Sequence, residues 1–357
     1  MSRRVRSCMR VSDFDFDLPA ELIAQEPRPR GQSRVLMVDR GSRSFREIVW
    51  ADVPGFFARG DVIVVNDTQV FPARLLGRRD PSGGAVECLL LERAGGDEWH
   101  ALVHPGQKLK PGARMIFEDP ARAPGVVITG EILEQRFFGR RRVRLAQSGA
   151  ADLDRAVDAI GHVPLPPYIA RPDTADDRDR YQTIFARARG SVAAPTAGLH
   201  FDEATMAAFD RAGIERAAIT HHVGYGTFQP VRVDDVEAHR VEPEHYDIGV
   251  AAARTIDAAL AREARIVAVG TTTTRALESA GAGGLIHPGA GVTDLFIYPG
   301  HRFRVVSALV TNFHLPRSSL LMLVAAFAGR ELVLEAYRAA IADGFRFYSY
   351  GDAMLIL

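Results

Sequence analysis

The segment Arg265–Ser279, RIVAVGTTTTRALES, changes character at its middle. Ile266 to Val269 read as a buried strand, Gly270 permits a tight turn, and the threonines lead into a helix. Strand, polar turn and helix in succession are the unit of an α/β layer. Unpaired N–H groups at such a helix start favour an anion, and Arg275 adds a full charge. Thr271, Thr272, Thr273 and Arg275 are therefore candidates for holding a carboxylate or phosphate. Ordinary threonine capping beside a solvated arginine uses the same residues, and spacing alone leaves both readings open. The lysine and glycine pattern of a P-loop is missing, and no GxGxxG follows a strand.

The flanking segments have the same texture. DVIVVNDTQVF ends a buried strand in the polar cluster Asn66-Asp67-Thr68, and ERAAITHHVGYGTF carries His221 and His222 on a strand, where neighbours point to opposite faces. ALVTNFHLPRSSLLMLVAAFAG places Asn312 and His314 at the carboxyl end of a strand, the edge where α/β folds put ligands. APTAGLHF sets Thr196, His200 and Phe201 on a tight backbone. A β-bulge with a hydrogen-bonded histidine explains any one of these histidines equally well. No HExxH or comparable spacing supports a metal site.

From about Ala73 to Leu145 the pattern differs. ARLLGRR, AVECLLLER, EWHALV, ARMIFE, GVVITGEIL and RRRVRL are six short alternating segments separated by glycine- and proline-rich turns. They predict a small six-stranded antiparallel β-barrel or sandwich inserted into a larger mixed α/β unit. The expected division is residues 71–150 for the insert and 1–70 plus 151–357 for the main domain.

Composition sets outer limits. The chain has 357 residues, 47% hydrophobic, with 44 basic and 44 acidic side chains, enough for a large core and two domains. Zero net charge argues against coating nucleic acid by bulk electrostatics, though a local patch such as Arg140-Arg141-Arg142-Val143-Arg144 remains open as either a solvated edge or a phosphate contact. No apolar run is long enough to span a membrane. With no apolar segment after the first basic residues, the expected location is the cytoplasm, and Met9 is a possible native start. The two cysteines, Cys8 and Cys88, are too few for a disulfide framework or a cysteine zinc site; Cys88 is expected in a strand.

Together, NDTQVFPARL, IGHVPLPPYI, YQTIFA, AAPTAGLHF, HVGYGTFQPV, AVGTTTTRALES, FIYPG, ALVTNFHLPRSSLLMLVAAFAG and RFYSYGDAMLI resemble the S-adenosylmethionine:tRNA ribosyltransferase-isomerases of queuosine biosynthesis from about Met9 to Leu357. The resemblance implies transfer of the ribosyl part of S-adenosylmethionine, a consumed cosubstrate, to 7-aminomethyl-7-deazaguanine at the tRNA wobble position. Rearrangement of the sugar then gives epoxyqueuosine, adenine and methionine, without a metal. It also implies a main α/β domain interrupted by a six-stranded barrel. A monomer is expected.

Roles can be set against that chemistry. Removing a proton beside the sulfonium suits a histidine, so His200 or His222 is expected to transfer it. Thr196 or Asn312 can assist adenine departure. The Thr271–Arg275 turn is expected to hold the methionyl carboxylate. Phe201, Tyr225 and Phe228 are expected around the everted base, Arg74 and the basic run at phosphates, and Asn66 and His314 in the remaining substrate-binding set. The chain departs from the family at Gln69, where a basic residue is common, at His221, where an apolar one is, and in a short tail. A non-catalytic tRNA binder and a methyltransferase are the competing classes; the intact polar platform opposes the first, and the missing glycine-rich first turn opposes the second.

Overall fold

The structure is a computed structural model that describes residues 9–136, 139–228 and 230–357. Cys8, Phe137 and Phe138 lie outside the described residues. Nine strands form one sheet in the order Gly289–Thr293, Glu244–Ile248, Glu215–His221, Val62–Asn66, Ile266–Val269, Ala308–Asn312, Ala353–Ile356, Arg34–Asp39 and Ser44–Val49. The four strands from Glu215–His221 to Ala308–Asn312 run parallel to one another. Val62–Asn66, Ile266–Val269 and Ala308–Asn312 are buried along their whole length, as expected for strands covered on both faces.

One face is packed by the helices Val250–Ala261, Thr271–Ala280, Ser319–Ala328 and Arg330–Ala342, with Ile256, Leu277, Val324 and Tyr337 at its centre. The other is packed by the turn Trp50–Phe56 and the helix Glu203–Ala212, with Trp50, Phe201 and Phe209 against Ile63, Val267 and Val310. Local chemistry sets the helix ends. Asp202 accepts from the Thr205 N–H and Ser318 from the Leu321 N–H, each a capping bond, and Gly213 stops its helix at φ 71°.

The insertion is a closed barrel of Arg140–Ser148, Glu98–His104, Ala85–Gly95, Arg74–Asp80, Arg114–Glu118 and Val127–Gln135, every pairing antiparallel. All six segments predicted from alternation are strands. Leu75, Cys88, Trp99, Phe117 and Val143 fill the interior, and burial pushes the Cys88 thiol up to about 12. No helix among the described residues is long and apolar enough to cross a membrane.

Candidate functional site

The parallel strands all end on one edge of the sheet, at Asn66, His221, Val269 and Asn312. There the chain leaves regular structure, and three adjoining chambers open. The first, about 50 Å³, is lined by Thr196, Thr271, Thr272, Asn312 and His314, together with Tyr168, Tyr348 and Ser349. The second, about 510 Å³ and open to solvent, lies between barrel and sheet, with Phe71, Trp99 and Arg140 facing His222, Tyr225 and Glu244. The third, about 70 Å³, is lined by Thr227, His239, Glu244, Arg275, Phe296 and Leu320. Val223 lies on both the first and second chambers, Thr227 and Leu320 on the first and third, and Glu242 and Glu244 on the second and third. The chambers are therefore parts of one cleft, partitioned by the turn 223–227.

In the first chamber the helix Thr271–Ala280 begins without a side-chain cap. Gly270 sits at φ 93°, a conformation that favours glycine. Thr273 and Thr274 turn their hydroxyls back onto the carbonyls of Val269 and Gly270, so only Thr271 and Thr272 face the cavity. The first N–H groups of the helix are left for a ligand. Opposite, Asn312 accepts from the Thr196 hydroxyl (3.2 Å) and donates to the Tyr348 carbonyl (3.1 Å). His314 is buried, meets the Thr311 hydroxyl at 3.0 Å, and is held by burial at a pKa of about 3.

His222 lies on the second chamber. Its Nδ1 shares a 2.8 Å hydrogen bond with the Thr68 hydroxyl, and its ring packs on Gly190, where a Cβ would come within 2.7 Å of Cε1. Its Nε2 has no hydrogen-bond partner among the described residues. Burial lowers its pKa, helped by His221 and His245 and opposed by Asp67. A neutral ring with one nitrogen committed and the other open is suited to accepting a proton.

Several expected site residues stand elsewhere. His200 is buried behind Asn312, with both ring nitrogens occupied, by Ser33 Oγ at 2.7 Å and Asn312 Nδ2 at 3.1 Å; it lines none of the three chambers and acts on the cleft only through Asn312. The ring of Phe201 is core, packed edge-on against Trp50 and near Phe185 and Phe209, so it is not available to a base. Asn66 is a buried fastener that accepts from the His221 N–H and donates to the His221 carbonyl. Arg74 ties barrel to main chain through Glu87 and the Leu165 carbonyl, away from the chambers. Arg275 does not point at the helix-start site: Glu244 and the Leu295 carbonyl hold it in the third chamber. Thr273 faces inward. Tyr225 lines the second chamber; the Phe228 side chain lies outside the described residues.

The basic run is not a bare cationic strip. Arg142 and Arg144 pair with Glu98, Glu131 and Glu134, Arg140 with Glu242, and Arg141 is buried against the Gly106 and Leu109 carbonyls. His221 is fully buried, donating from Nδ1 to the Thr272 carbonyl and from Nε2 to Glu244. Among the described residues no cluster of His, Cys, Asp or Glu fits a metal ion. Tyr168, Tyr348 and Glu244 were missed by sequence reasoning. The two tyrosines sit on irregular chain, and Glu244 opens a strand without any pattern that marks chemistry.

A sheet edge carrying an uncapped helix start and a shared three-chamber cleft, with a closed barrel inserted beside it, defines an α/β enzyme class with a composite site. A model of the family described as queuosine biosynthesis protein matches residues 11–356. The chain belongs to this family. It is 47% identical over 351 residues, 98% of this chain and 100% of the other, to the S-adenosylmethionine:tRNA ribosyltransferase-isomerase of Symbiobacterium thermophilum. It is 52% identical, over 98% and 99% of the two chains, to that of an Anaeromyxobacter species. A crystal structure of the S-adenosylmethionine tRNA ribosyltransferase from Thermotoga maritima is similar at a TM-score of 0.54 and 35% identity, covering 97% of this chain and 100% of that one.

Proposed function

We propose that this chain transfers the ribosyl part of S-adenosylmethionine to a tRNA base and isomerises it, in queuosine biosynthesis. The acceptor is 7-aminomethyl-7-deazaguanine at the wobble position, and the products are epoxyqueuosine, adenine and methionine. The observation that carries the reading is the meeting of Thr196, Thr271, Thr272, Asn312 and His314 in one chamber whose wall, Val223, also bounds the chamber of His222. The first chamber takes the cosubstrate, its carboxylate at the start of the helix Thr271–Ala280, where N–H groups and the helix dipole favour an anion. The second takes the base, which must leave the anticodon stack and lie against aromatic walls, here Phe71, Trp99 and Tyr225.

His222 accepts the proton from the carbon beside the sulfonium. The sulfur leaves with its bonding electrons as the thioether of methionine, and the electron pair freed at that carbon by loss of its proton forms the new carbon–carbon bond of the ring. Adenine leaves with the glycosidic electron pair and gains a proton, while the amine nitrogen of the acceptor bonds the sugar and gives up one; Thr196 and Asn312 are placed to hydrogen-bond the adenine. His200 supports Asn312 from behind. We place the protein in the cytoplasm, working as a monomer without metal, with residues 71–150 as the inserted domain and 1–70 plus 151–357 as the catalytic one.

The test is incubation with labelled S-adenosylmethionine and tRNA carrying the precursor base. Free adenine with a ribosyl-modified nucleoside is expected. Release of S-adenosylhomocysteine would instead mark a methyltransferase, and no turnover at all a binder.

A further inference from the structure

Glu244 is almost fully buried, at 6% exposure, where the second and third chambers meet. Its two oxygens serve different walls. Oε1 accepts from the Gly224 N–H at 2.8 Å and reaches the Thr227 hydroxyl at 3.5 Å, both on the turn that partitions the cleft. Oε2 accepts from His221 Nε2 at 3.1 Å and from Arg275 Nη1. His221 in turn donates to the Thr272 carbonyl at 2.9 Å, on the first turn of the cleft helix, and Arg275 belongs to the same helix and grips the Leu295 carbonyl at 2.9 Å. Burial pushes the Glu244 carboxyl up, but His221, Arg275 and the Gly224 N–H outweigh it and hold it at about 2.

We propose that Glu244 is a positioning residue for the reaction: one carboxylate locks the 224–227 partition to the start of the helix Thr271–Ala280, and so sets the spacing between the cosubstrate and base chambers. This rests on the proposed function for its kinetic readout, though not for its binding readout. Only a carboxylate can serve both walls, because each of its oxygens faces donors alone. The amide of a glutamine has one acceptor oxygen and one NH₂, so it can satisfy Gly224 or the His221–Arg275 pair but not both. Aspartate keeps the charge but falls short by one methylene. The bland alternative is that Glu244 merely neutralises a buried arginine. The two readings diverge when charge and geometry are separated.

The experiment compares wild type with Glu244→Gln, Glu244→Asp and the double variant Glu244→Met/Arg275→Met, which removes the buried charge pair together and guards against loss of fold. Each is assayed for thermal midpoint, calorimetric affinity for S-adenosylmethionine, and kcat and KM for both substrates. The expected result is folded protein in the double variant with affinity about tenfold weaker, the scale of one charged hydrogen bond. KM is expected to rise for both substrates, and Glu244→Asp to recover only part of the loss. Wild-type affinity and KM in the double variant overturn the proposal and leave charge neutralisation as the whole role. A wild type that binds S-adenosylmethionine but releases no adenine overturns the proposed function, and the affinities still decide Glu244. A wild type that binds none overturns both.

Discussion

Asn312 and His200 are joined at the back of the cleft by a 3.1 Å hydrogen bond in which the Asn312 amide donates to Nε2. Since Nε2 accepts, the proton of His200 resides on Nδ1, which meets the Ser33 hydroxyl at 2.7 Å. Burial first, with Arg346 adding to it and Asp352 opposing, holds this histidine neutral at a pKa of about 4. His200 therefore fixes the amide that orients Thr196.

From this arrangement His200→Ala is expected to lower adenine release about tenfold by loosening Asn312, the cost of one hydrogen bond to a buried partner. The pH profile of the residual activity should keep its wild-type shape. A variant whose acid limb disappears would return His200 to proton transfer.

His222 is the residue whose replacement should alter that shape. Its pKa lies below the ordinary 6.5, so it is neutral and able to accept a proton at neutral pH. Activity should fall on acidification as the ring takes up its proton, with the midpoint below 6.5. His222→Gln is expected to lose roughly 100-fold or more in kcat together with the acid limb, while tRNA affinity measured by filter binding stays within about twofold. Wild-type kcat in this variant removes the ring from the mechanism.

Gly190 tests the placement of that ring. A Cβ there would lie 2.7 Å from Cε1 of His222, and the backbone stands at φ 155°. Gly190→Ala should push the imidazole off Thr68 and reduce kcat about tenfold while the thermal midpoint moves by only a few degrees. Full activity would show that the ring tolerates displacement.

Stability should also depend on pH through the buried histidines. In the unfolded chain His200 takes up a proton as pH falls through 6.5, whereas in the fold it resists until about 4. Its contribution is present above pH 6.5 and lost on acidification toward 4, about 3 kcal/mol at most. His314, at about 3, acts with the same sign. Denaturant midpoints at pH 7 and pH 5 should differ for wild type and differ less for His200→Gln. Equal slopes for both proteins would contradict the assignment.

The barrel was legible because each of its strands alternates, with Val86, Cys88 and Leu90 turned inward and buried, and turn residues mark every end. The strands of the sheet were legible one by one, but not their order, since nothing in VIVVN says that it lies between Glu215–His221 and Ile266–Val269. Thr271, Thr272 and Asn312 were legible as candidates because strand ends and helix starts carry chemistry by geometry, and the fold brings the three to one chamber. Phe201 and Arg275 were misplaced for one reason: an aromatic ring suits a core as well as a ligand, and an arginine takes its role from the carboxylate that reaches it, here Glu244 from another strand. Tyr168 and Tyr348 stand on irregular chain, where periodicity gives no signal.

The strand Ala353–Ile356 lies in the interior of the sheet, parallel to Arg34–Asp39 and antiparallel to Ala308–Asn312. During synthesis the ribosome must pass residue 356 before the two halves of the sheet can be stitched together, whereas every barrel pairing is available once Ser148 has emerged. The nascent chain thus carries an open seam until that strand emerges, and a chain truncated before Ala353 would leave Val35 to Val38 paired only on the Phe45–Ile48 side.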